Sequence, residues 1–580
     1  MVVRYLWSVP KFIKTSCFLT ASEIQTRYRK QTVECSSATQ FLDTSITRHM
    51  PTLASRFLGL SFVFAMVPVA QSGQPEQPNV LLIMADDLGY SDLGCYGGEI
   101  DTPNLDKLAG NGIRFSQFYN TGRCWPTRAS LLTGYYPHGI RRDKIDGTQS
   151  GNRGKRPRWA PLIVETLRQR GYRSYHTGKW HIDGMPIASG FDRSYYLKDQ
   201  HRFFNPTLHW KDDQPLPAVP KGTEFYATNA LGDHVVQCME DHFLQQTNAP
   251  FFHYLAFAAP HFPLQALPED IEKYRTRYQV GWQKIREERW NRIEAQGLVH
   301  GRLSDPMVDI GPPYDFPEAL EILGPDEINR PVPWESLTPS QQEFQANKMA
   351  IHAAMIDRMD QQIGRIIQCL KDHQQFDNTI IFFLSDNGAS AEIMVRGDGH
   401  DRDAPMGSAD SHLCLGPGWS TASNTPFRYH KTWTHEGGTA TPLIVHWPKG
   451  IQARGEVREQ VGHVIDLWPT ILELTTVEKN TDLDESNHPR PGRSLTPFFD
   501  RDDTQPRTLW WLHEKNRSLR SGEWKIAATA TSTDWELYNL NDDRTETNDL
   551  INEHPKIAEN LIKQWETILK QQSDWAVESN

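Results

Sequence analysis

Four short apolar runs, each followed closely by residues with ligand chemistry, constrain this chain more than any other feature. Residues 80–84 of NVLLIMADDLG run into Asp86-Asp87, and residues 380–384 of NTIIFFLSDNG run into Asp386-Asn387. GYRSYHTGKWHID reads as a strand leading to Lys179 and His181, and PFFHYLAFAAPHFP as one leading to Pro260-His261. Continuous apolar runs bounded by turn residues suit central strands of a parallel sheet covered by helices on both faces. In open α/β sheets, ligands bind at the carboxyl ends of such strands. An edge that collects two acidic or Asp/Asn pairs, a lysine and two histidines is therefore predicted to be a site.

The intervals read as helices and walls. Residues 160–172 and 348–373 have helical apolar spacing, with Met355, Met359, Ile363 and Ile366 read as core. Residues 269–345, rich in Trp, Arg, Glu and Pro, read as an insertion of short helices and loops, and 388–426 as a long irregular segment. Loops of that length inside a domain are usually functional walls or lids. From about residue 505, TLWWLHE, RSLRSGEWKIAAT and WELYNL alternate like antiparallel strands, and HPKIAENLIKQWETILKQ closes as an amphipathic helix. The expectation is a catalytic α/β domain over 77–500 and a smaller α+β subdomain over 505–575.

At 580 residues the chain has room for both. Its net charge of -11 argues against non-specific nucleic-acid binding. The basic stretch RRDKIDGTQSGNRGKRPR (141–158) is Gly-rich and aperiodic, and reads as a solvated loop. From Met50 the chain has one Arg, an apolar run over 57–67 and then small residues, the order of a secretory signal. That run is short for a membrane span. Residues 50–72 are expected to be a signal peptide and 1–49 a non-native extension, with the protein exported to the periplasm or outside the cell and no stable membrane span. Five cysteines follow (Cys95, Cys124, Cys238, Cys369 and Cys414). An odd number without a CxxC pair argues against a disulfide scaffold and against a zinc site.

Asp86, Asp87, Asp386 and Asn387 make an oxygen-only ligand set, which selects Ca²⁺ or Mg²⁺. Lys179, Lys431 and Arg128 supply permanent cations suited to a tetrahedral oxyanion, sulfate or phosphate. In RCWPTRASLLTG, Pro126 marks the first turn of a helix. Cys124 then lies at a helix N-terminus, where an anion is favoured and a thiol pKa is expected to fall. With no paired base in the motif, such a thiolate is an odd nucleophile for an oxyanion ester.

CWPTRASLLTG resembles the C-x-P-x-R signature of type I sulfatases, in which the cysteine is oxidised to formylglycine. The resemblance extends over most of 78–550, through NVLLIMADDLGYSDLGCYGG, TGKWHI, PHFP, LSDNG, ASNTPFRYHKTWTHEGG and WELYNLNDDRTETNDL. YQVGWQKIREERWNRIEAQGLV and LGPGWSTASNTPFR resemble the arylsulfatase branch. Arg123 and Trp125 depart from the commonest form of the signature, and GGTATP lacks an arginine often found after the glycine pair.

The resemblance implies an alkaline-phosphatase-like fold and hydrolysis of sulfate esters. It implies that Cys124 is converted by a formylglycine-generating enzyme, and that one Ca²⁺ is held by Asp86, Asp87, Asp386, Asn387 and the modified Cys124. In that scheme the hydrated aldehyde attacks sulfur and Arg128 orients it. Lys179 and Lys431 bind sulfate oxygens, His261 protonates the leaving alcohol, and His181 is the base that expels sulfate. The substrate would be a sulfated small molecule or carbohydrate. Other readings are a phosphodiester or phosphonate monoester hydrolase of the same superfamily, or a carbohydrate-specific polysaccharide sulfatase. A non-catalytic binding module would be expected to lack Cys124, Arg128 or the Asp ligands. The loops 200–225, 269–345 and 388–426 are expected to set the substrate, with Trp419, Phe427 and Trp433 as candidates for lining it.

Overall fold

The structure, a computed structural model, describes residues 77–245, 249–475 and 487–578. The expected signal segment 50–72 and the extension 1–49 lie outside the described residues. In chain order the strands of the main sheet are β1 (Asn79–Ala85), β2 (Ile113–Tyr119), β3 (Arg173–Gly178), β4 (Arg193–Leu197), β5 (His209–Lys211), β6 (Gln214–Pro215), β7 (Phe251–Ala256), β8 (Thr379–Ser385), β9 (Ala440–His446), β10 (Glu456–Arg458) and β11 (Gly462–His463). They lie side by side as β10-β2-β9-β8-β1-β7-β3-β4-β5-β6, with β11 also on β2. The centre, β8-β1-β7-β3-β4, is parallel. β9 runs antiparallel to both β2 and β8.

Every residue of β1, β7, β8 and β9 is buried. The reason is a core on each face. Leu81, Ile83, Ile381 and Phe383 point into one, and Val80, Leu82, Ile380 and Phe382 into the other. That two-residue alternation, apolar in both directions, is what a doubly covered strand requires. The long helix Pro339–Asp372 covers the first face, through Met355, Met359, Ile363 and Ile366 among others. It starts well before the expected residue 348, because Thr338 caps it by accepting from the Gln341 amide. Its first turns are polar and carry no apolar period. The shorter helices Ile163–Gln169 and Leu467–Leu474 lie on the other face.

The C-terminal strands β12 (Thr508–His513), β13 (Asn516–Ser521), β14 (Trp524–Ala528) and β15 (Glu536–Asn539) form an antiparallel sheet in chain order. The helix Pro555–Val577 closes it by packing Leu561 and Trp565 with Trp510, Leu519 and Ile526. This small sheet is pinned to the main body. Lys525 Nζ lies 2.9 Å from Glu436 and 2.8 Å from Glu546, all fully buried, and Trp511 Nε1 donates to the Asn120 carbonyl at 2.7 Å. No helix among the described residues is long and apolar enough to cross a membrane. Cys95, Cys124, Cys238, Cys369 and Cys414 are all free.

Two stability predictions follow from these contacts. Lys525→Met removes the cation between Glu436 and Glu546, and should cost about 3–5 kcal/mol in urea denaturation. The second concerns buried histidines around Thr177, whose Oγ1 lies 2.7 Å from His234 and 2.8 Å from His253. Burial lowers His176 to about 3 and His234 to about 4, and holds His253 well below the usual range. Below pH 6.5 the unfolded chain takes up protons that the folded chain refuses, so stability falls as pH drops from 6.5 towards 4. Each such histidine contributes up to about 1.4 kcal/mol per pH unit. Denaturation midpoints at pH 7 and pH 5 should show the loss, and His234→Gln should flatten it.

Candidate active site

The carboxyl ends of β1 and β8 lie side by side, so the residues that follow them meet. Asp86 and Asp87 follow β1, and Asp386 and Asn387 follow β8. Lys179 and His181 follow β3, while His261 lies just beyond β7. The helix Cys124–Thr133 points its N-terminus at this edge and carries Arg128 one turn inside. Lys431 comes from the loop before β9. All are buried except His181, which is partly exposed. Local backbone is forced where these groups turn inward: Asp87 has φ 66°, His181 54° and the β-branched Thr432 90°. Left-handed backbone in non-glycine residues is costly and tends to gather at functional sites.

Charges interlock across the edge. Arg128 donates from Nη2 and Nε to Asp386 Oδ2, at 2.7 and 2.9 Å, and its Nη2 lies 3.8 Å from Asp86. Lys179 Nζ pairs with Asp86. Lys431 Nζ lies 2.9 Å from Asp87 and 2.9 Å from Glu392. Asn387 donates from Nδ2 to Asp87 Oδ1 at 2.7 Å, and the Asp87 amide donates to Asp386 Oδ1 at 3.2 Å.

The donor set fits a hard divalent cation. Asp86 Oδ1 and Asn387 Oδ1 are buried oxygens with no hydrogen-bond partner. Burial and the neighbouring Asp386 charge push the Asp86 carboxyl up to about 7, the response of acceptors crowded together without enough positive charge. Ligand atoms of Asp86, Asp87 and His261 lie within 4.8 Å of one another. His261 thus approaches the acidic group more closely than an oxygen-only set anticipates, with Nε2 3.7 Å from Asp87.

Cys124 corrects a sequence expectation. Burial pushes its thiol pKa up, and Lys179 and Lys431 do not reverse this, so the helix N-terminus does not yield an activated thiolate. Both histidines are held neutral. Burial and the Lys179 charge keep His181 well below the usual range, and burial with Lys431 does the same for His261. His261 donates from Nδ1 to the Phe262 carbonyl at 2.5 Å, which turns Nε2 to the site. His181 Nδ1 is buried and unpartnered.

A cavity of about 530 Å³ opens over Cys124, His181, His261 and Lys431. Gln200, Tyr314 and Phe316, and Glu392 and Arg396, bring each of the three expected wall segments to it. Other expectations need correction. The stretch 141–158 is not simply a solvated loop, since Arg142 is buried and lines the cavity with Asn152 and Arg153. Trp419 and Phe427 are packed in the core, where Trp419 donates to the Gln345 carbonyl, and Trp433 stacks on Tyr429 away from the cavity wall.

Glu392 was missed entirely. It is buried between Arg123 Nη2, at 3.1 Å, and Lys431, and burial is outweighed by these two cations, which hold its carboxyl well below the usual range. Arg123 in turn lies between the rings of Trp125 and Tyr314, at 5.1 and 5.3 Å. Nothing periodic in SDNGASAEIMVRG distinguishes that glutamate; the unmatched Arg123 beside Cys124 was the available signal. The wall also includes Glu514, at the β12–β13 turn, which accepts from Tyr314 Oη at 2.7 Å.

A parallel sheet edge that gathers acidic oxygens, fixed cations and a helix-start cysteine defines a hydrolase site for an oxyanion ester. The chain belongs to the sulfatase family, whose family model matches residues 78–477, and it hydrolyses sulfuric esters. A second match, over 427–574, is to the N-sulphoglucosamine sulphohydrolase C-terminal family. The chain is 30% identical over 560 residues to an uncharacterized sulfatase of Schizosaccharomyces pombe, covering 85% of this chain and 94% of that one. It is 31% identical over 449 residues to an arylsulfatase of Klebsiella aerogenes, covering 71% and 90%. Among solved structures, Ps i-CgsB in complex with k-i-k-neocarrahexaose matches with TM-score 0.60 and 25% identity, over 87% of this chain and 95% of that one.

The bridge through Glu392 yields a test. Glu392→Gln should lower kcat/KM by on the order of 100-fold through misplacement of Lys431. Glu392→Asp should recover part of the loss. Steady-state kinetics on folded protein, checked by circular dichroism, would show it.

Proposed function

We propose that this sulfatase works through a formylglycine made from Cys124 and one bound Ca²⁺. One observation carries the reading: Cys124 opens a helix at the edge where oxygen ligands and three fixed cations converge, yet its thiol ionises less readily than an ordinary one. A thiol there is a poor nucleophile; an oxidised side chain is a good one, because its hydrate supplies an oxygen nucleophile. Asp86, Asp87, Asp386 and Asn387, with the modified residue 124, would hold the ion, whose Lewis acidity polarises oxygen ligands.

The chain's own residues divide the rest. Arg128, tied to Asp386, orients the side chain at 124. Lys179 and Lys431 bind the sulfate oxygens as charge moves to the leaving alcohol. His261 carries the proton for that alcohol on Nε2. In the free site burial, Lys431 and Lys179 keep that nitrogen neutral, and a bound sulfate offsets the two lysines and favours the protonated form. His181 accepts a proton when sulfate is expelled. The likeness to Ps i-CgsB, solved with a carbohydrate bound, favours a sulfated carbohydrate over a simple aryl sulfate as the natural substrate. Maturation requires a formylglycine-generating enzyme, and the signal-like segment 50–72 supports export.

Peptide mass spectrometry of active protein should find the aldehyde at position 124, and Cys124→Ala should abolish turnover without unfolding the chain. Highly active protein with an unmodified thiol overturns the proposal. Elemental analysis should give one Ca²⁺ per chain, lost with activity in Asp386→Ala. Saturating Ca²⁺ at about 100 times its Kd should stabilise the apoprotein by roughly 2.7 kcal/mol. Stoichiometric zinc would contradict the oxygen-ligand assignment.

A further inference from the structure

The basic stretch 141–158 has no part in the catalytic scheme, yet it reaches the cavity. Arg153 arrives at the wall from that stretch, and Arg396 from the irregular segment after β8. Other cations around the mouth are matched by carboxylates. Arg123 and Lys431 share Glu392, Arg142 lies 4.0 Å from Asp183, and the neighbouring Arg202 pairs with Asp199 at 2.8 Å and Asp398 at 2.9 Å. Arg153 and Arg396 are exposed and form no ion pair among the described residues. The Arg396 guanidinium lies over the Phe262 ring, 5.7 Å from its centroid, and Lys431 Nζ lies 5.5 Å from the same centroid. An unmatched arginine and a lysine of the sulfate site thus share contact with one ring.

We propose that Arg153 and Arg396 form a second anion subsite. The preferred substrates are then sulfated carbohydrates that carry a further sulfate or carboxylate near the sulfate to be cleaved. This rests on the sulfate-ester reading of the Cys124 site. A guanidinium matches the planar or tetrahedral oxygens of either group with paired donors, and it stays charged at every working pH. Tyr314 and Phe316 add flat apolar faces beside the cavity, suited to a sugar ring. A monoanionic aryl sulfate leaves the arginines unfilled.

The test compares inhibition of 4-nitrophenyl sulfate hydrolysis by three ligands. They are glucosamine 6-sulfate, glucosamine 2,6-disulfate, and a disaccharide that joins a uronate to a 6-sulfated hexosamine. Salt is held near 0.15 M, where exposed charges are screened beyond about 8 Å, so that contact rather than general attraction is read. The wild-type protein should bind one or both of the multiply anionic ligands about tenfold more tightly than the monosulfate, the worth of one charge-assisted contact. Which of the two gains identifies the second group as sulfate or carboxylate. In Arg396→Gln and in Arg153→Gln/Arg396→Gln the ratio of inhibition constants should fall towards one. Taking the ratio within each protein cancels any general loss of activity.

Equal constants for all three ligands in the wild type, or a preference that survives in the double variant, overturns the proposal. If the wild-type protein releases sulfate neither from 4-nitrophenyl sulfate nor from any of the three sulfated ligands, that result counts against the sulfate-ester reading instead. Titration calorimetry with the same three ligands then still reads the subsite.

Discussion

The paired contact between Arg128 and Asp386 ties the helix that carries Cys124 to the end of β8, and the rest of the site depends on it. Both side chains are fully buried, so neither tolerates loss of the other. The same carboxylate group reaches the Asp87 amide, and the same guanidinium approaches Asp86. One ion pair therefore sets the spacing between β1, β8 and the helix start. Hydrophobic packing could hold the sheet and helix together. It could not fix the angle at which Cys124 meets the acidic pairs.

That anchoring explains why so much was legible from sequence. Buried strands need apolar residues on both faces, and 80–84 and 380–384 declare themselves by that need. The polar residues placed immediately after them can only lie at the sheet edge. Cys124 and Arg128 are legible for a different reason: Pro126 marks a helix start, and helical spacing puts residue 128 a turn inside. His261 is legible as the residue just past the apolar run of PFFHYLAFAAPHFP, whereas Lys431 lies on a loop with no period of its own; the family resemblance supplies the roles of both.

Glu392 and the cavity wall escaped for the opposite reason. Glu392 lies on irregular backbone, and its role comes from two cations distant in the chain, Arg123 and Lys431. No local pattern encodes such a bridge. Arg142 shows the same limit: in a Gly-rich basic stretch it reads as solvated, yet it is buried against the Gly154 and His181 carbonyls. Trp419 and Phe427 erred in the other direction, since aromatic residues near a site motif are as readily core as lining. The Tyr314–Glu514 contact joins the insertion to the small C-terminal sheet, so that sheet helps to shape the cavity as well as to cover the fold.

Charge balance gives these contacts a common logic. Arg123, Arg128, Lys179 and Lys431 face Asp86, Asp87, Asp386 and Glu392, so the buried groups cancel while both histidines stay neutral. Cancellation is what burial demands, because an isolated charge in so dry a place is prohibitive. It is still local and uneven. Glu392 is satisfied by two cations, whereas Asp86 keeps one oxygen unpartnered and its carboxyl is pushed up to about 7 by burial and by Asp386. A divalent cation beside Asp86 would relieve that crowding and leave the site with surplus positive charge. An anionic ester is then the complement that restores neutrality. A divalent cation and an anionic ester would thus answer one electrostatic requirement, each completing the charge balance that the other leaves open.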